Sequence, residues 1–408
     1  MLDHPIAQEQ RLGSPRRTQC RQKGSRVMVL VVSESDRQKR VCGDREEGST
    51  LMMNPGLNLP AFGSTDPFTL GVEQELFLVD AAGRQRNAGA DVLEALPEFA
   101  RGQVSAEVHA CQVELISGVC HSVEEAIDDL RVLRDAVLGV GVELLGTGIH
   151  PTAQEGEAEI TDKERYNFIS ALLGDAIVDP VGALHVHVGM PDAETAIRAF
   201  NGLRPHLPLL EALAANSPFR HGRDTGLASA REITLRAWPR SGAPRAFADW
   251  ADFQAMARRL TRVAEVPDYT FHWWKLRPHP QLGTVELRAL DAQVSLAHTE
   301  ALVRLAHALA RDAATSPSDW SPAPEILEEA SFRAGREGLD ARLPDRKGDL
   351  RPARDLLGEL LDRVQPDENP TLRALLAEGG GAAVQRASAG PHGNLDGVLA
   401  ELKRRAQS

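Results

Sequence analysis

The sequence of 408 residues has few cysteines and no long apolar run, and both absences narrow its possible roles. Its cysteines form neither a CxxC pair nor a zinc-ribbon spacing, which fits ordinary thiols in a reducing compartment. They are Cys20, Cys42, Cys111 and Cys120. The apolar stretch near the N-terminus, Val27–Val32, is too short to span a membrane and is followed by Ser-Glu-Ser-Asp instead of a cleavage site. We therefore expect a cytoplasmic chain without a membrane partner.

The sequence also lacks an excess of positive charge and the glycine-rich nucleotide loops. Lys and Arg number 46 against 58 Asp and Glu, which gives a formal net charge of -12. Nucleic-acid-binding proteins are more often basic, so we expect no nucleic-acid partner. Neither GxxxxGK[ST] nor GxGxxG occurs. A nucleotide, if one is used, must therefore be held through metal-bridged phosphates instead of a glycine cradle.

Composition divides the chain into three parts. Residues 1–66 are polar, rich in Arg and Gly and without sustained periodicity, which is typical of a disordered tail. A short functional arm or an upstream start codon are the alternatives for this segment. Hydrophobic residues make up 42% of the whole chain, enough for a large core in residues 67–386. Residues 387–408 are predicted to form a C-terminal helical tail.

Helices and strands alternate after residue 67. A capping box at Ser122–Glu125 predicts a helix start, and amphipathic periodicity predicts further helices. These are Ala193–Leu203, Asp249–Val263 and Ser295–Ala313. Val142–His150 is predicted as a strand. Because hairpins are commoner than long crossovers in this pattern, we predict an α+β fold with a mainly antiparallel sheet.

Three predicted strands share one pattern, with an apolar face and a face of charged or histidine side chains. The strands are Phe68–Val79, Ala183–Met190 and Thr284–Asp291. Side chains alternate along a strand, so residues two apart share a face. The polar faces carry Glu73 and Glu75, His185 and His187, and Glu286 and Arg288. A sheet lined on one face by carboxylates and histidines predicts a site for hard cations and the groups they bind.

The glutamates are the first candidate metal ligands. Glu73 and Glu75 on one strand face repel each other unless a cation or solvent separates them, although an exposed acidic face is common. Glu107 and Glu114 are an odd number of residues apart, so one uninterrupted strand would send them to opposite faces. A bulge or break is required for both to reach the site, and Glu114 is the stronger candidate.

His185 and His187 form an H-x-H pattern on one strand face. A lone buried histidine is more often a core residue than a ligand, but two on one face between valines favour a metal site. H-x-H also occurs in metal hydrolases, so a metal-dependent amidohydrolase is an alternative. The other candidate ligands are glutamates, which suit magnesium better than zinc.

The predicted hairpin Phe271–Arg277 and Thr284–Leu290 brings cations to the same face. If Arg277 pairs with Thr284, then Lys275 lies opposite Glu286 and Trp273 opposite Arg288. Cations that converge beside metal ligands are what a transferring phosphoryl group requires, although a surface ion pair is the simpler explanation.

A second arginine-rich stretch, Ser229–Gly242, offers ligand-binding candidates. Its candidates are Arg231, Trp238 and Arg240, beside Arg236. Arginines in such loop-rich stretches are more often solvated than bound to a ligand.

These motifs together resemble the YbdK-type carboxylate–amine ligases, the family of glutamate–cysteine ligases of type two. The resemblance runs from about Phe68 to about Arg386 and rests on motifs in a fixed order. The motifs are Gly71-Val-Glu-Gln-Glu, His185-Val-His-Val-Gly, Asn216-Ser-Pro-Phe, Trp238-Pro-Arg-Ser-Gly, Trp273-Trp-Lys-Leu-Arg-Pro-His-Pro and Thr284-Val-Glu-Leu-Arg-Ala-Leu-Asp-Ala-Gln. One conservative departure is a leucine in Leu287–Leu290 where relatives often have valine.

The resemblance implies a glutamine-synthetase-like fold, in which a curved, mainly antiparallel sheet forms a catalytic funnel with helices packed outside. It implies ATP and two or three Mg²⁺ ions as cofactors, with Mn²⁺ as a possible substitute. It places metal ligands at Glu73, Glu75, Glu107, Glu114, His185 and Glu286. It places His187, Arg277 and Arg288 where they face nucleotide or substrate, and residues 67–386 become a carboxylate–amine ligase domain.

The function that follows is ATP-dependent amide formation through an acyl phosphate, with L-glutamate and L-cysteine as the first substrates to test. Arg288 and Arg277 are the predicted catalytic residues, and His187, Arg231, Trp238, Arg240 and Lys275 the predicted substrate- or nucleotide-binding residues. The expected partners are amino acids and ATP, and a homo-oligomer is left open. Besides the amidohydrolase, a catalytically silent nucleotide-binding protein is an alternative.

Overall fold

The computed structural model describes residues 59–177, 179–316, 318–364 and 369–407. Most of the predicted N-terminal tail, including Val27–Val32, lies outside the described residues, and the boundaries at residues 66 and 386 stay predictions. Within the described residues, Cys111 and Cys120 are buried and form no disulfide. No helix in these ranges is both long and apolar enough to cross a membrane.

Strands and helices are interleaved along the chain. The strands are β1 (Leu70–Val79), β2 (Val104–Ala106), β3 (Gln112–Ile116), β4 (Glu143–Leu145), β5 (Ala183–Gly189), β6 (Phe219–Arg220), β7 (Arg223–Asp224), β8 (Leu276–His279), β9 (Thr284–Asp291), β10 (Arg342–Pro344) and β11 (Leu350–Pro352). The helices are α1 (Gly89–Ala95), α2 (Val123–Leu138), α3 (Glu164–Leu173), α4 (Ala193–Leu203), α5 (Leu207–Ala214), α6 (Ala230–Leu235), α7 (Trp250–Val263), α8 (Leu296–Thr315), α9 (Pro324–Glu337), α10 (Ala353–Val364), α11 (Pro370–Glu378), α12 (Gly381–Ala389) and α13 (Leu395–Ala406).

The main sheet is open and antiparallel. Its strand order is β2-β3-β1-β5-β9-β8, and β4 pairs with the end of β1. The pairs β6–β7 and β10–β11 form separate small hairpins. The predicted α+β fold with a mainly antiparallel sheet and outer helices is therefore confirmed.

One face of the sheet is apolar and packs against helices. The buried residues of this face alternate along the three long central strands, as the sequence predicts. They are Leu70, Val72, Leu76 and Leu78 on β1, Leu184, Val186 and Val188 on β5, and Val285, Leu287 and Leu290 on β9. The alternation is interrupted on β9 by a register shift against β5, which places Leu290 opposite Leu184 and leaves Ala289 on the opposite face. Helices α2, α4 and α8 cover this layer. The opposite face of the sheet is left for polar side chains.

The three covering helices begin where the sequence supplies an N-cap. The side chains of Ser122, Asp192 and Ser295 each accept a hydrogen bond from the backbone N–H three residues later. The predicted helix bounds at α4, α7 and α8 are therefore correct to within two residues. Helix α11 ends at a glycine, because Gly379 takes a left-handed conformation directly after it.

Two predicted strands differ from the structure. The predicted strand Val142–His150 is limited to β4. Beyond β4, Gly146 and Gly148 lie so close to neighbouring atoms of the chain that no side chain would fit at either position. The predicted strand Phe271–Arg277 starts later, at Leu276, and continues to His279.

The register of the β8–β9 hairpin is also different from the prediction. Arg277 lies opposite Glu286, not Thr284, so Lys275 does not face Glu286 and Trp273 does not face Arg288. The difference comes from Pro278, which the predicted hairpin leaves in the turn because its first strand ends at Arg277. Pro278 sits within β8, and this is tolerated because β8 is the edge strand of the sheet.

The last described helix, α13, packs against the sheet region. Val398, Leu399 and Leu402 share an apolar cluster with Phe77 and Val79 of β1. The buried guanidinium of Arg134 donates to the carbonyl oxygen of Ala406 at 3.3 Å, at the C-terminal end of α13. A cation at this position is favourable because the carbonyl end of a helix carries partial negative charge.

Candidate active site

A cavity of about 300 Å³ lies on the polar face of the sheet. Its walls come from segments that are far apart in sequence. They include Glu73, Glu75, Glu107, Glu114, His185, Arg231, Trp238, Lys275, Arg277 and Arg288, all of which are predicted site residues. Glu286 and His187 do not line the cavity but contact residues that do. Arg240 does not line the cavity either, and its guanidinium lies over the ring of Trp273, which does.

Cross-strand pairing brings the acidic and histidine side chains together. Glu75 lies opposite Glu114, and Glu73 lies opposite His185. Oxygen or nitrogen atoms of these side chains approach within 4.8 Å of one another in overlapping groups of three. The groups are Glu73, His187 and Glu286; Glu73, Glu114 and His185; and Glu75, Glu107 and Glu114.

The chain has a break between Glu107 and Glu114, which is needed for both side chains to reach the same face of the sheet. Strand β2 ends at Ala106 and β3 begins at Gln112, so the two glutamates do not belong to one continuous strand. Glu107 accepts a hydrogen bond from the backbone N–H of Val108, and Glu114 accepts one from Ser105 Oγ. Both carboxylates line the cavity, although the strand pattern alone makes Glu114 the stronger candidate of the two.

Three carboxylates on this wall, those of Glu75, Glu107 and Glu114, resist ionisation. Burial also disfavours the charge of Glu73, but His187 and His185 outweigh burial and hold the pKa of Glu73 well below its usual value. Burial and the charge of Glu107 raise the pKa of Glu75 to about 8. Burial raises the pKa of Glu107, and burial together with the charge of Glu73 raises the pKa of Glu114 well above its usual value. Buried carboxylates in mutual contact favour a bound cation, because its charge removes their repulsion.

His185 is held neutral beside two of these glutamates. Its Nδ1 lies 2.9 Å from Glu73 Oε2, and its Nε2 lies 3.6 Å from Glu75 Oε1. Burial and the charge of Arg288 lower the pKa of His185 to about 4. A neutral ring that donates from Nδ1 to Glu73 keeps the lone pair of Nε2 for a cation.

His187 lies behind the cavity wall, on the same face of β5. Its Nδ1 is 3.0 Å from Thr284 Oγ1, and its Nε2 is 3.3 Å from Glu73 Oε1 and 3.7 Å from Glu286 Oε1. Burial lowers the pKa of His187, but Glu286 and Glu73 outweigh burial and raise it. The two histidines therefore differ: His187 bridges two carboxylates, whereas His185 is a neutral donor.

Glu286 lies between two arginines. It accepts hydrogen bonds from Arg277 and Arg288, and its side chain is 1% exposed. Burial raises its pKa, but Arg277 and Arg288 outweigh burial and hold the pKa well below the usual range. Arg288 keeps about 20% of its side chain exposed and lines the cavity, so its guanidinium can reach a bound anion.

Lys275 is bound to two carboxylates that are not among the predicted site residues. Its Nζ lies 2.9 Å from Glu211 Oε1 and 2.6 Å from Glu232 Oε1, and all three side chains are buried. Burial lowers the pKa of Lys275, but the two glutamates outweigh burial and raise it. The missed signal for Glu232 was the Ser229–Glu232 capping box, which opens α6 in a stretch that was read as loop.

The remaining predicted residues mainly position the backbone. Arg231 donates to the carbonyl oxygens of Ala289 and Arg288 at 3.2 and 3.1 Å, and so holds the chain that carries Arg288. Trp238 Nε1 donates to Ala176 O at 2.7 Å. Arg240 has a positive φ of 62° and donates to Phe271 O, outside the cavity.

Helix α3 also contributes to the cavity wall, which the sequence hardly indicates. Tyr166 Oη donates to Ala106 O at 2.6 Å, and Arg165 donates to Thr270 Oγ1 at 3.0 Å. Both residues line the cavity. They connect α3 to the strand edge on one side and to the segment before β8 on the other.

Comparisons with known proteins identify relatives along most of the chain. The sequence model described as glutamate–cysteine ligase family 2 matches residues 69–383. A Rubrobacter xylanophilus protein with the provisional name glutamate–cysteine ligase 2-3 is 41% identical over 315 residues, covering 74% of this chain and 85% of the relative. A glutamate–cysteine ligase of Halobacterium salinarum is 38% identical over 325 residues, covering 74% and 88%.

Solved structures share the fold at low sequence identity. A glutamate–cysteine ligase from Francisella tularensis in complex with AMP has a TM-score of 0.65 at 14% identity, and the match covers 84% of this chain and 89% of that one. A bifunctional glutathione synthetase from Pasteurella multocida has a TM-score of 0.59 at 12% identity, covering 83% and 52%.

Proposed function

The chain belongs to glutamate–cysteine ligase family 2, and we propose that it is an ATP- and Mg²⁺-dependent ligase that joins a carboxylate to an amine through an acyl phosphate. The observation that carries this proposal is the convergence of four glutamates, His185 and Arg288 on one cavity. L-Glutamate and L-cysteine are the first substrates to test, because the names of the relatives include them.

The donor set fits magnesium. Glu73, Glu75, Glu107, Glu114 and His185 would hold the ions, with Glu286 as a further ligand from behind the wall. Hard carboxylate oxygens suit Mg²⁺, and a single imidazole also suits Mn²⁺. The buried carboxylates of this wall repel one another in the absence of a cation, which supports a metal role independently of any relative. When bound, the ions neutralise the triphosphate and favour attack at the γ-phosphorus.

The protein contributes charge and position to the reaction. A substrate carboxylate oxygen attacks the γ-phosphorus of ATP, and the bond to the bridging oxygen of ADP breaks. Arg288 then donates to the phosphoryl oxygens, and Arg277 holds Glu286 and thereby the orientation of Arg288. An amine nitrogen attacks the acyl carbon, loses a proton, and inorganic phosphate leaves. No side chain has to act as a covalent nucleophile.

The binding residues have less direct roles than the sequence suggests. The ammonium group of Lys275 is held by Glu211 and Glu232. Its role would therefore be to stabilise the cavity wall and not to bind phosphate. Arg231 would position Arg288 through the backbone, and Trp238 would supply an apolar wall beside Trp273. His187 would hold Glu73 and Glu286 in place. Arg240 would support the Trp273 ring from outside the cavity.

The proposal is tested by ADP release from Mg–ATP with a panel of amino acids, singly and in pairs. We expect ADP release to need a carboxylate substrate and a divalent ion, and hydroxylamine to trap the acyl phosphate as a hydroxamate. Glu73→Gln should lower turnover by at least about 100-fold, since it removes a ligand shared by two groups of donors. The matched control is Glu94→Gln, an exposed residue of α1.

Two results would contradict the proposal. Full turnover by Glu73→Gln would show that the site is elsewhere. Zinc-dependent, ATP-independent amide hydrolysis would favour the amidohydrolase that the His185-x-His187 pattern also allows.

A further inference from the structure

A second cavity, larger than the candidate active site, lies in the helical layer of the protein. Its volume is about 770 Å³, within the range of sites that bind small molecules. It is formed by the turn before α5, residues 320–322, α9, the β10–β11 hairpin and α10. Among the residues that the structure describes, none lines both cavities. The second cavity is therefore separate from the candidate active site.

The interior of this cavity is apolar. The buried residues that line it are Pro205, Pro208, Leu209, Leu327, Ala330, Leu343 and Leu360. Ile326 and Leu350 are also part of the lining, and their side chains are 49% and 40% exposed. A ligand with an apolar group would remove these side chains from water, so a cavity of this size and lining favours such a ligand.

The polar part of the lining carries four cations and three carboxylates. Three of the cations have a carboxylate partner: Arg333 pairs with Glu329, Arg346 with Asp319 and Arg363 with Asp312. The other two carboxylates of the lining also have partners, because Glu359 pairs with Arg351 and Asp345 accepts from backbone N–H groups of its own hairpin. Within the described ranges, Lys347 makes no ion pair, so it is the cation of the lining that is left for a bound anion.

A buried cation behind the wall adds to this positive potential. Arg204 is 1% exposed and donates to Pro244 O, Ser321 Oγ and Pro322 O, the last two belonging to residues that line the cavity. It has no carboxylate partner among the residues described. A buried cation without a counter-ion favours an anion nearby, because the low dielectric of the interior strengthens their attraction.

We propose that this cavity binds a small amphiphilic anion, an alkyl or aryl group that carries a carboxylate. The apolar part would lie against Leu209, Leu327 and Leu360, and the carboxylate would face Lys347 and Arg346 of the β10–β11 turn. Trp320 supports this end, since its ring contacts His206 edge-on at 5.6 Å and lies under the Arg346 guanidinium at 5.8 Å.

Decanoate binding, measured by calorimetry in saturating Mg–ATP, tests the proposal without involving the active-site cavity. We expect one molecule of decanoate to bind per chain, and dodecanoate to bind about fourfold more tightly for each added methylene. Decanol and decylammonium should bind at least about tenfold more weakly, because they lack the negative charge. Absence of decanoate binding, or equal binding of decanol, would overturn the proposal.

Two variants test the position of the site. Lys347→Glu should weaken decanoate binding about tenfold, and Arg259→Glu, an equal charge change at an exposed residue of α7, should not. Ala330→Phe should abolish binding by filling the cavity, provided that circular dichroism shows a native fold. Unchanged binding in Lys347→Glu would place the ligand elsewhere. Dimers that dissociate on Lys347→Glu, without decanoate binding, would instead assign this surface to a second copy of the chain.

Discussion

Glu75 shares a small volume with Glu107 and Glu114, and this crowding has a cost for the metal-free protein. Because the pKa of Glu75 is raised to about 8, its side chain must take up a proton on folding at neutral pH. Glu75→Gln removes this requirement and keeps an oxygen that can accept from the backbone N–H of Ala183. We expect the variant to be more stable than the wild type in EDTA at pH 7 by about 1–2 kcal/mol, because a carboxyl whose pKa is raised on folding costs stability above its unfolded pKa. Urea unfolding in EDTA measures this difference.

The same variant should be stabilised less by magnesium than the wild type is. Wild-type protein should gain stability when Mg²⁺ is added, since a ligand of the native state alone shifts the unfolding equilibrium. Glu75→Gln should gain less. Equal gains in the two proteins would show that Glu75 is not a ligand.

His150 is a buried histidine whose hydrogen bonds require a neutral ring. Its Nδ1 accepts from the backbone N–H groups of Thr152 and Ala153 at 3.3 and 3.0 Å, and its Nε2 lies 2.9 Å from Gly83 O. Burial lowers the pKa of His150 to about 4. Protonation would remove the acceptor at Nδ1.

Acidification should therefore destabilise the protein through His150. Between the unfolded pKa of about 6.5 and the folded pKa of about 4, the unfolded state binds more protons, so stability falls as pH decreases through this window. We expect His150→Gln to reduce the loss by about 1 kcal/mol per pH unit when unfolding is compared at pH 6.5 and 5. His121→Gln, at an exposed position, is the control and should keep the wild-type slope.

At the scale of the elements, the turn between β8 and β9 sets which residues meet across the hairpin. Gly283 has a φ of +67°, and a Cβ there would lie 2.4 Å from Gly63 O. Gly283→Ala should destabilise the protein by about 2–4 kcal/mol, from backbone strain and this clash combined. Thermal unfolding measures the effect.

Gly393 separates the two contributions. It has nearly the same φ, +65°, but no heavy atom within 4 Å of an added Cβ. Gly393→Ala should cost only about 1 kcal/mol. Similar losses in both variants would show that the contact with Gly63 does not matter.

The elements also show what sequence patterns can and cannot predict. Alternation of side chains correctly assigned the two faces of β1 and β5 and of β9 as far as Arg288, because a buried face fixes strand parity. It missed the register shift between β5 and β9, after which Ala289 lies on the cavity side and Leu290 lies opposite Leu184. It could not give the β8–β9 register, which depends on whether Pro278 belongs to the turn or to an edge strand. Nor could it show that the chain breaks between Ala106 and Gln112, which decides where Glu107 points.

Contacts between distant segments were the least predictable part of the candidate site. Lys275 meets Glu211 of α5 and Glu232 of α6, and nothing in the local sequence of Lys275 indicates these partners. The resemblance to a family placed the glutamates and His185 at the site, but it gave no account of α3 or of the second cavity. The position of α3 and the shape of the second cavity are determined by how the helices pack around the sheet. This packing depends on the whole chain.

At the scale of the whole molecule, α13 belongs to the packed structure even though its composition predicts a tail. A chain that ends at residue 393 would expose Phe77 and Val79 and remove the carbonyl partner of Arg134. Re-exposure of several apolar side chains costs about 1.5–3 kcal/mol each, which together approaches the total stability of a typical domain. We expect this chain to be insoluble or unfolded.

We would measure soluble yield and resistance to limited proteolysis for the chain that ends at residue 393 and for two controls. A chain that ends at residue 406 keeps α13 and should behave as the full chain does. Leu402→Ala should fold with a lower melting temperature, because it removes part of one buried side chain. A stable, soluble chain ending at residue 393 would instead support a boundary near residue 386.

The pairing of Glu73 with His185, and of His187 with Glu286, has a kinetic consequence. These partners are about 100 residues apart along the chain, and His185 and Glu73 are separated by 112 positions. Long loops must close before such pairs can form, and folding through distant contacts is slow. The ion-binding pocket should therefore appear only in the last phase of refolding. Magnesium should slow unfolding without speeding the early collapse, since the newly collapsed chain has no assembled ligands to offer it.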